Sequence, residues 1–353
     1  MIELKKHIKE LTSLPGLSGY EGSVRTTIES AWKPLVDEMH TSRLGSLHGL
    51  VRGSGIGTRK RVLLAAHMDA IGLMVTQVED GFLRVNDFGS IDYRILPGQL
   101  VTVHAGRDLP GIVVQPPAHL LPPSIRKKPV KTRNLMVDVG LSKEEVESQI
   151  FPGTTISFSQ NPIELSGDVL AGHSMDNRVS VAAITFCLQE IKKMVHLWDV
   201  WAVATVQEEE TYGGAITSPF EIKPHIAIAI DVTHAGIPGV PEHLTAPMGK
   251  GPTLGFGGNI HPEIYKSFKE LAEDLEIPFQ TEVMPGVGGT DAHGIQTVAE
   301  GIPTFLISIP VRYMHTPVET VNLSDVKRVG RLLAAFINRL EPDYLNNQGW
   351  ITK

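Results

Sequence analysis

The run RVLLAAHMDA (Arg61–Ala70) decides the fold. After Arg61 come five apolar residues, the length of a buried strand and too short for a helix. Polarity then returns at His67 and Asp69. Three other runs repeat the design. Val200–Val206 (VWAVATV) leads to Gln207, Glu208 and Glu209. His225–Ile230 (HIAIAI) leads to Asp231, and Pro303–Ile309 (PTFLISI) leads, after a short loop, to His315. Open parallel sheets bind their ligands beyond the carboxyl ends of the strands. Metal-competent side chains at four such ends predict one shared site.

Composition sets the class. With 353 residues the chain exceeds one small core, so two domains are expected. A net charge of −7 and scarce basic runs argue against a nucleic-acid partner. The single cysteine, Cys187, excludes an internal disulfide and suits a reducing compartment. The N-terminus MIELKKHIKE reads as a charged helix with Leu4, Ile8 and Leu11 on one face, not as a signal peptide. No apolar run approaches the roughly 20 residues of a membrane span. The expectation is a soluble cytoplasmic protein.

Both ends of the chain read as α/β. The pattern Ser18-x-x-Glu21 reads as a capping box opening a helix that carries Val24, Ile28 and Trp32. Between about Ile71 and Ile163 the texture changes. Short β-type runs (Ile71–Val78, Phe82–Val85, Leu100–Val103, Ile112–Val114, Thr154–Phe158) are punctuated by Gly and Pro, with one helical period at Ser142–Gln149. This is a small β-rich insert, and its basic stretch Arg126, Lys127, Lys128, Lys131, Arg133 reads as a solvated loop. Helical spacing resumes at Val181/Ile184/Leu188/Ile191, at Ile264/Phe268/Leu271/Leu275, and at Val326/Val329/Leu333/Phe336/Leu340 with Ser324 as cap.

Each candidate residue carries a bland reading beside the chemical one. His67-x-Asp69 is an ordinary turn, or a ligand whose second ring nitrogen is fixed by a carboxylate two residues on. Asp176 precedes the helix starting near Val179 and, taken alone, reads as its N-cap; a carboxylate also has two oxygens with which to bridge two cations. Glu208 and Glu209 at a buried sheet end repel one another and need cations or protons. That tension is relieved if Glu209 ligates and Glu208 stays free as general base and acid. A charge at Asp231, in a strand of Ile and Ala, is costly unless paired or metal-bound. His315 is either a capped loop histidine or a ligand. His7, His40, His48, His196 and His261 read by default as surface or core, and Cys187 as core. A donor set of nitrogen and oxygen without thiolate suits Zn²⁺, Co²⁺ or Mn²⁺.

Here the chain resembles a family. HMDAIG (67–72), AGHSMDNR (171–178), VQEEE (206–210), IDVTH (230–234), GGTDAHG (288–294) and RYMHTPVE (312–319), with PGLSGYE (15–21), resemble the tetrahedral aminopeptidases, the glutamyl-aminopeptidase-like co-catalytic metallopeptidases. The resemblance implies a catalytic domain of residues 1–70 and 164–353. Its fold would be α/β, a mixed, mostly parallel sheet flanked by helices as in phosphorylase/hydrolase-like metallopeptidases. Residues 71–163 would be an inserted, small β-barrel-like dimerisation domain. It further implies two divalent metal ions per subunit, one on His67, Asp176 and Asp231 and the other on Asp176, Glu209 and His315. Asp176 would bridge, Glu208 would be the general base and Asp69 the supporting carboxylate. The implied partners are short peptides and copies of the chain itself, in dimers that build a hollow dodecamer. Two departures stand out: Ala70 where the family usually has Glu, and Glu210-Thr211-Tyr212-Gly213-Gly214 after the paired glutamates.

Three other functions compete. A related metallo-deacylase or carboxypeptidase shares the metal logic. A glycoside hydrolase of endoglucanase type would use Glu208 and Glu209 alone and leave His67, Asp176, Asp231 and His315 without purpose. A non-catalytic scaffold leaves all these positions unexplained.

Overall fold

A computed structural model describes residues 2–124, 126 and 134–344. The four apolar runs form adjacent parallel strands at the centre of an eleven-stranded sheet, in the order Asp199–Thr205, Arg61–His67, Ile226–His234, Thr304–Arg312. Antiparallel strands extend both margins: Leu47–Val51 and Glu38–Thr41 on one side, Glu319–Asn322, Val169–Gly172 and Ile163–Leu165 on the other. The sheet is thus mixed, parallel at its centre. Val62–Ala66 are fully enclosed, as expected of a strand covered on both faces.

Helices flank the sheet. Met175–Ile191 packs against Leu323–Asn338 and against the central strands, while Gly213–Ile222 packs against Asp291–Gln296. The N-terminal helix Leu4–Thr12 buries Ile8 and Leu11 as its spacing predicts. No helix among the described residues is long and apolar enough to cross a membrane.

The β-rich segment closes into a six-stranded antiparallel barrel, in the order Gly72–Glu79, Phe82–Phe88, Met136–Asp138, Asp108–Val114, Leu100–His104, Thr155–Phe158. Leu73, Val75, Leu83, Val85, Val101, Val103, Val113, Val137 and Ile156 fill a core separate from that of the main sheet. Met136–Asp138 escaped the sequence reading, being only three residues long, yet it completes the ring by pairing with Phe82–Phe88 and Asp108–Val114. Closure leaves Leu100–His104 and Asp108–Val114 without an open edge, because each pairs with a neighbour on both sides. Of the basic stretch, Arg126 is described and exposed; Lys127, Lys128, Lys131 and Arg133 lie outside the described residues.

Three local expectations are corrected. Ser18 caps no helix: the helix Gly22–Trp32 begins after Glu21 without a side-chain cap. Ser324 is not a cap either; Asn322 caps Leu323–Asn338 and accepts the Ser324 N–H. Asp231 lies inside the strand Ile226–His234, not at its end. By contrast, Ser142 and Glu145 form the reciprocal capping box of Lys143–Gln149.

Candidate active site

All seven residues singled out from the sequence converge at the carboxyl ends of the central strands. Asp176 is the hub. Its Oδ1 lies 3.1 Å from His67 Nε2 and its Oδ2 lies 3.3 Å from His315 Nε2. Asp231 Oδ1 approaches His67 Nε2 at 3.9 Å, and Glu209 Oε2 approaches His315 Nε2 at 3.9 Å. Glu208 Oε2 sits 3.7 Å from His67 Nε2. His67, Asp176 and Glu209 each offer a ligand atom, and the three atoms lie within 4.8 Å of one another. The N-cap reading of Asp176 fails: Asp176 and Asn177 both have non-helical backbone where the helix begins, and the two Asp176 oxygens face imidazoles, not helix N–H groups.

The cluster is buried and crowded with acid. Burial pushes the Glu209 carboxyl up to about 8, with Asp176 adding repulsion. Burial likewise raises Glu208 and Asp231 well above the ordinary carboxylate range, although His67 pulls the other way in both. Asp176 differs: despite burial, hydrogen bonds from His315 and His67 hold it below its usual value. Burial also opposes the His67 imidazolium, yet facing Glu208, Asp176 and Asp69 raise its pKa well above normal. Four carboxylates converge on two imidazoles in a dry site, and such an excess of negative charge calls for cations. The all-nitrogen-and-oxygen donor set therefore fits divalent metal.

Asp69 supports more than the His67 ring. The His67 Nδ1 contacts the backbone carbonyl of Asp69 at 3.2 Å, closer than the carboxylate at 3.5 Å. The fully buried carboxylate also accepts from the N–H of Glu208 (3.0 Å), the N–H of Glu209 (3.2 Å) and the Ser18 hydroxyl (2.5 Å). Ser18 and Asp69 therefore pin the turn that presents both glutamates. That turn starts a short helix, Glu208–Thr211, behind Gln207 at φ 60°.

Glu319 does the same for the other half of the site, and sequence reading assigned it no role although it stands in the quoted RYMHTPVE. One oxygen accepts the His315 N–H at 2.8 Å; the other accepts the Asp176 N–H at 3.0 Å. Ser90, from the loop that follows the barrel strand Phe82–Phe88, accepts from His315 Nδ1 through its carbonyl. Neighbouring Gly89 donates its N–H to Glu210 at 2.6 Å. The insert thus helps build the site without supplying a candidate ligand. Buried Asp291 accepts from Thr205 Oγ1 at 2.5 Å; burial pushes its carboxyl up to about 6. Arg178, buried beneath the site, donates to the carbonyls of Met68, Leu11 and Leu14, tying the N-terminal helix to the loop after His67. A partner search along the sequence cannot find such contacts, since each joins segments far apart in the chain.

These groups line a cavity of about 250 Å³ that also presents Ser90, Tyr212, Gly289 and Met314. A larger cleft, about 640 Å³, lies by Arg61, His225 and Pro303 at the opposite ends of the strands. It brings in one carboxylate, Glu300, and has no converging donor set.

Comparison with known proteins gives the family. The lysyl aminopeptidase of Pyrococcus furiosus is 34% identical over 346 residues, covering 95% of this chain and 97% of that protein. The TET aminopeptidase of the marine sediment archaeon Thaumarchaeota archaeon SCGC AB-539-E09 superposes with a TM-score of 0.92 at 31% identity, over 98% of this chain and 99% of that one. The TET1 peptidase of Pyrococcus horikoshii, which can assemble into a tetrahedron or a large octahedral shell, superposes with a TM-score of 0.82 at 29% identity, over 96% of this chain and 100% of that one. The model of the M42 glutamyl aminopeptidase family matches residues 45–332, and with the fold in agreement, the chain belongs to that family of peptide-bond hydrolases.

Proposed function

We propose that this aminopeptidase removes N-terminal residues from short peptides with two divalent cations, Zn²⁺, Co²⁺ or Mn²⁺, held by His67, Asp176, Asp231, Glu209 and His315. His67, Asp176 and Asp231 would hold one, and Asp176, Glu209 and His315 the other. The observation that carries this reading is Asp176, whose two oxygens address two imidazoles, one on each side. When bound, such a pair of cations polarises a carbonyl and makes water acidic.

The chain's own residues do the rest. Glu208 takes the proton of the attacking water and returns it to the leaving nitrogen. Asp69 and Ser18 fix the turn that aims it. Glu319 fixes the backbone of Asp176 and His315. The surplus of carboxylates holds the protonated α-amino group of a substrate, and the cavity of about 250 Å³ admits a chain end, not a folded surface. Peptides with free and N-acetylated amino termini, offered to metal-loaded enzyme, test the reading. Hydrolysis of the free peptides alone is expected; equal rates on the blocked ones would identify a deacylase or carboxypeptidase instead.

Residues 71–163 act as an inserted domain that joins copies of the chain, the remainder being catalytic. In support, Leu100 and Ile112 stand directly opposite each other on the barrel and both are exposed, as is Phe82. Such dimers would build the closed shell, which keeps folded proteins from the site. Light scattering at micromolar concentration is expected to give a large oligomer; a monomer mass refutes the assembly.

A further inference from the structure

We propose a second metal site outside the active centre, formed by His40, His48 and Glu221 and suited to a divalent transition-metal ion such as Zn²⁺. His40 and His48 are cross-strand partners on the antiparallel pair Glu38–Thr41 and Leu47–Val51. Opposite residues of such a pair point to the same face with their Cβ atoms about 5 Å apart. The two rings accordingly lie 4.9 Å apart, at 73° to each other. The helix Gly213–Ile222 brings Glu221 over this pair. One donor atom from each of the three falls within 4.8 Å of the others.

The distances suit a tetrahedral ion. Zinc–nitrogen and zinc–oxygen bonds of about 2.0–2.1 Å place neighbouring ligand atoms about 3.3 Å apart. Glu221 Oε1 is 2.8 Å from His40 Nε2 and 4.0 Å from His48 Nδ1, so the two spacings straddle that edge. Both His40 and Glu221 are about half exposed, and small rotations of their side chains equalise the two.

A second observation points to a ligand. His48 is completely buried, and its Nδ1 has no hydrogen-bond partner although it faces Glu221. A buried polar atom without a partner is costly. Its other nitrogen, Nε2, lies 3.0 Å from the Ser218 hydroxyl. That is the arrangement of a metal-bound imidazole: one nitrogen toward the ion, the other fixed by a neighbouring group. Two imidazoles and one carboxylate leave a fourth position open to solvent beside His40 and Glu221. Imidazole donors favour Zn²⁺, Cu²⁺ or Ni²⁺ over Mg²⁺ or Ca²⁺.

An ion here has a structural consequence. It would fasten an outer strand of the sheet to the helix that begins next to Tyr212, a residue of the active-site cavity. It would thereby brace the segment carrying Glu208 and Glu209 without touching substrate.

The test uses full-length protein stripped with chelator, reloaded with Zn²⁺, gel-filtered and analysed for metal per subunit. Wild type is compared with His40→Ala, with Glu221→Gln and with Asp176→Ala. Both cluster variants are expected to lose about one zinc per subunit relative to wild type. Asp176→Ala is expected to retain that zinc, and the loss to appear again in the Asp176→Ala/His40→Ala double variant. Zinc should also raise the melting midpoint of Asp176→Ala and leave that of the double variant unmoved. Equal zinc content in wild type, His40→Ala and Glu221→Gln overturns the proposal. So does a zinc content in the double variant equal to that of Asp176→Ala. Because the comparison is a difference between variants, it stands apart from how many ions the active centre holds.

Discussion

Replacing Asp69 by Asn separates two ways of supporting the site. If the carboxylate acts through the His67 ring, its loss weakens metal binding. If it acts through the backbone of Glu208 and Glu209, the metals stay and turnover falls. The contacts favour the second. Three donors converge on the carboxylate, at 3.0, 3.2 and 2.5 Å, whereas the His67 ring lies nearer to the Asp69 carbonyl. An asparagine keeps the shape and one accepting oxygen. Its NH₂ must then face donors it cannot accept from. Hydrogen bonds to a charged group are worth about 1.5–3 kcal/mol each, and at least one is lost with its donor left buried. A local cost of about 3 kcal/mol corresponds to about 10² in an equilibrium between the aimed turn and a displaced one. Displacement of Glu208 by about 1 Å carries a rate penalty of the same order. The expected outcome is a kcat lower by about 10² with KM and metal content near wild type. Ser18→Ala, which removes one of the three donors and leaves the charge, should cost less than about tenfold. Steady-state kinetics with metal analysis on both variants decides the matter. A turnover within threefold of wild type, or a loss cured by excess metal, refutes the reasoning.

Other outcomes follow from the same geometry. Glu208→Gln should retain its metals and lose at least about 10² in turnover, the scale of a missing general base; loss of metal with full turnover at saturating metal exchanges its role with that of Glu209. Asp176→Ala should empty both metal positions of the active centre and His67→Ala mainly one, measured as metal per subunit; equal losses remove the bridging role. Acid should weaken the fold through His7, whose pKa burial lowers to about 4. The folded state then resists the proton that the unfolded chain accepts at about 6.5, so the contribution is complete above that pH and fades as pH falls toward 4. At pH 5 the loss is about 2 kcal/mol, and His7→Gln should flatten the fall of the melting midpoint between pH 7 and 5. An unchanged slope in that variant removes His7 from the account.

How much of this was legible in the chain depends on whether the signal was local. Two strand ends were legible because burial on both faces demands an unbroken apolar run, and a run that stops at His67 or Gln207 marks where the sheet meets its site; at Asp231 the run stops but the strand continues to His234. The insert was legible by its change of period, although Met136–Asp138 was too short to register. Ser18 misled for a physical reason. Its spacing to Glu21 satisfies a capping box, but Asp69 offers its hydroxyl a charged acceptor, while Glu21 accepts from Gly19 and Gln207. Tertiary contacts outbid the local pattern. Glu319 stood in the quoted RYMHTPVE without a role, because half of its value lies in the distant Asp176 N–H, and Ser90 left no trace, because its carbonyl meets His315 from far along the chain.

Those distant contacts explain how the site keeps its shape. Ser174, Gln207, Tyr313 and His315 all have φ near +60°, in loops that carry Asp176, Glu208, Glu209 and His315. For residues with a Cβ this conformation costs about 1–2 kcal/mol each, and a cluster of four is not sustained by local preference. Each strained turn is followed by an N–H held by a buried carboxylate. Asp69 holds the N–H groups of Glu208 and Glu209, which follow Gln207; Glu319 holds those of Asp176, two residues after Ser174, and of His315 itself. Charged hydrogen bonds in a dry setting are worth enough to offset that strain. The acidic residues around this centre therefore divide by the direction they face. Asp176, Glu208, Glu209 and Asp231 line the cavity, where their charge needs cations and substrate amine. Asp69 and Glu319 face the backbone, where amide donors already satisfy them. A carboxylate count alone would overestimate the charge the cavity offers to metal; Asp69 and Glu319 spend both oxygens on backbone amides, whereas of the four that line the cavity Asp231 gives one oxygen to the Val232 N–H and keeps the other.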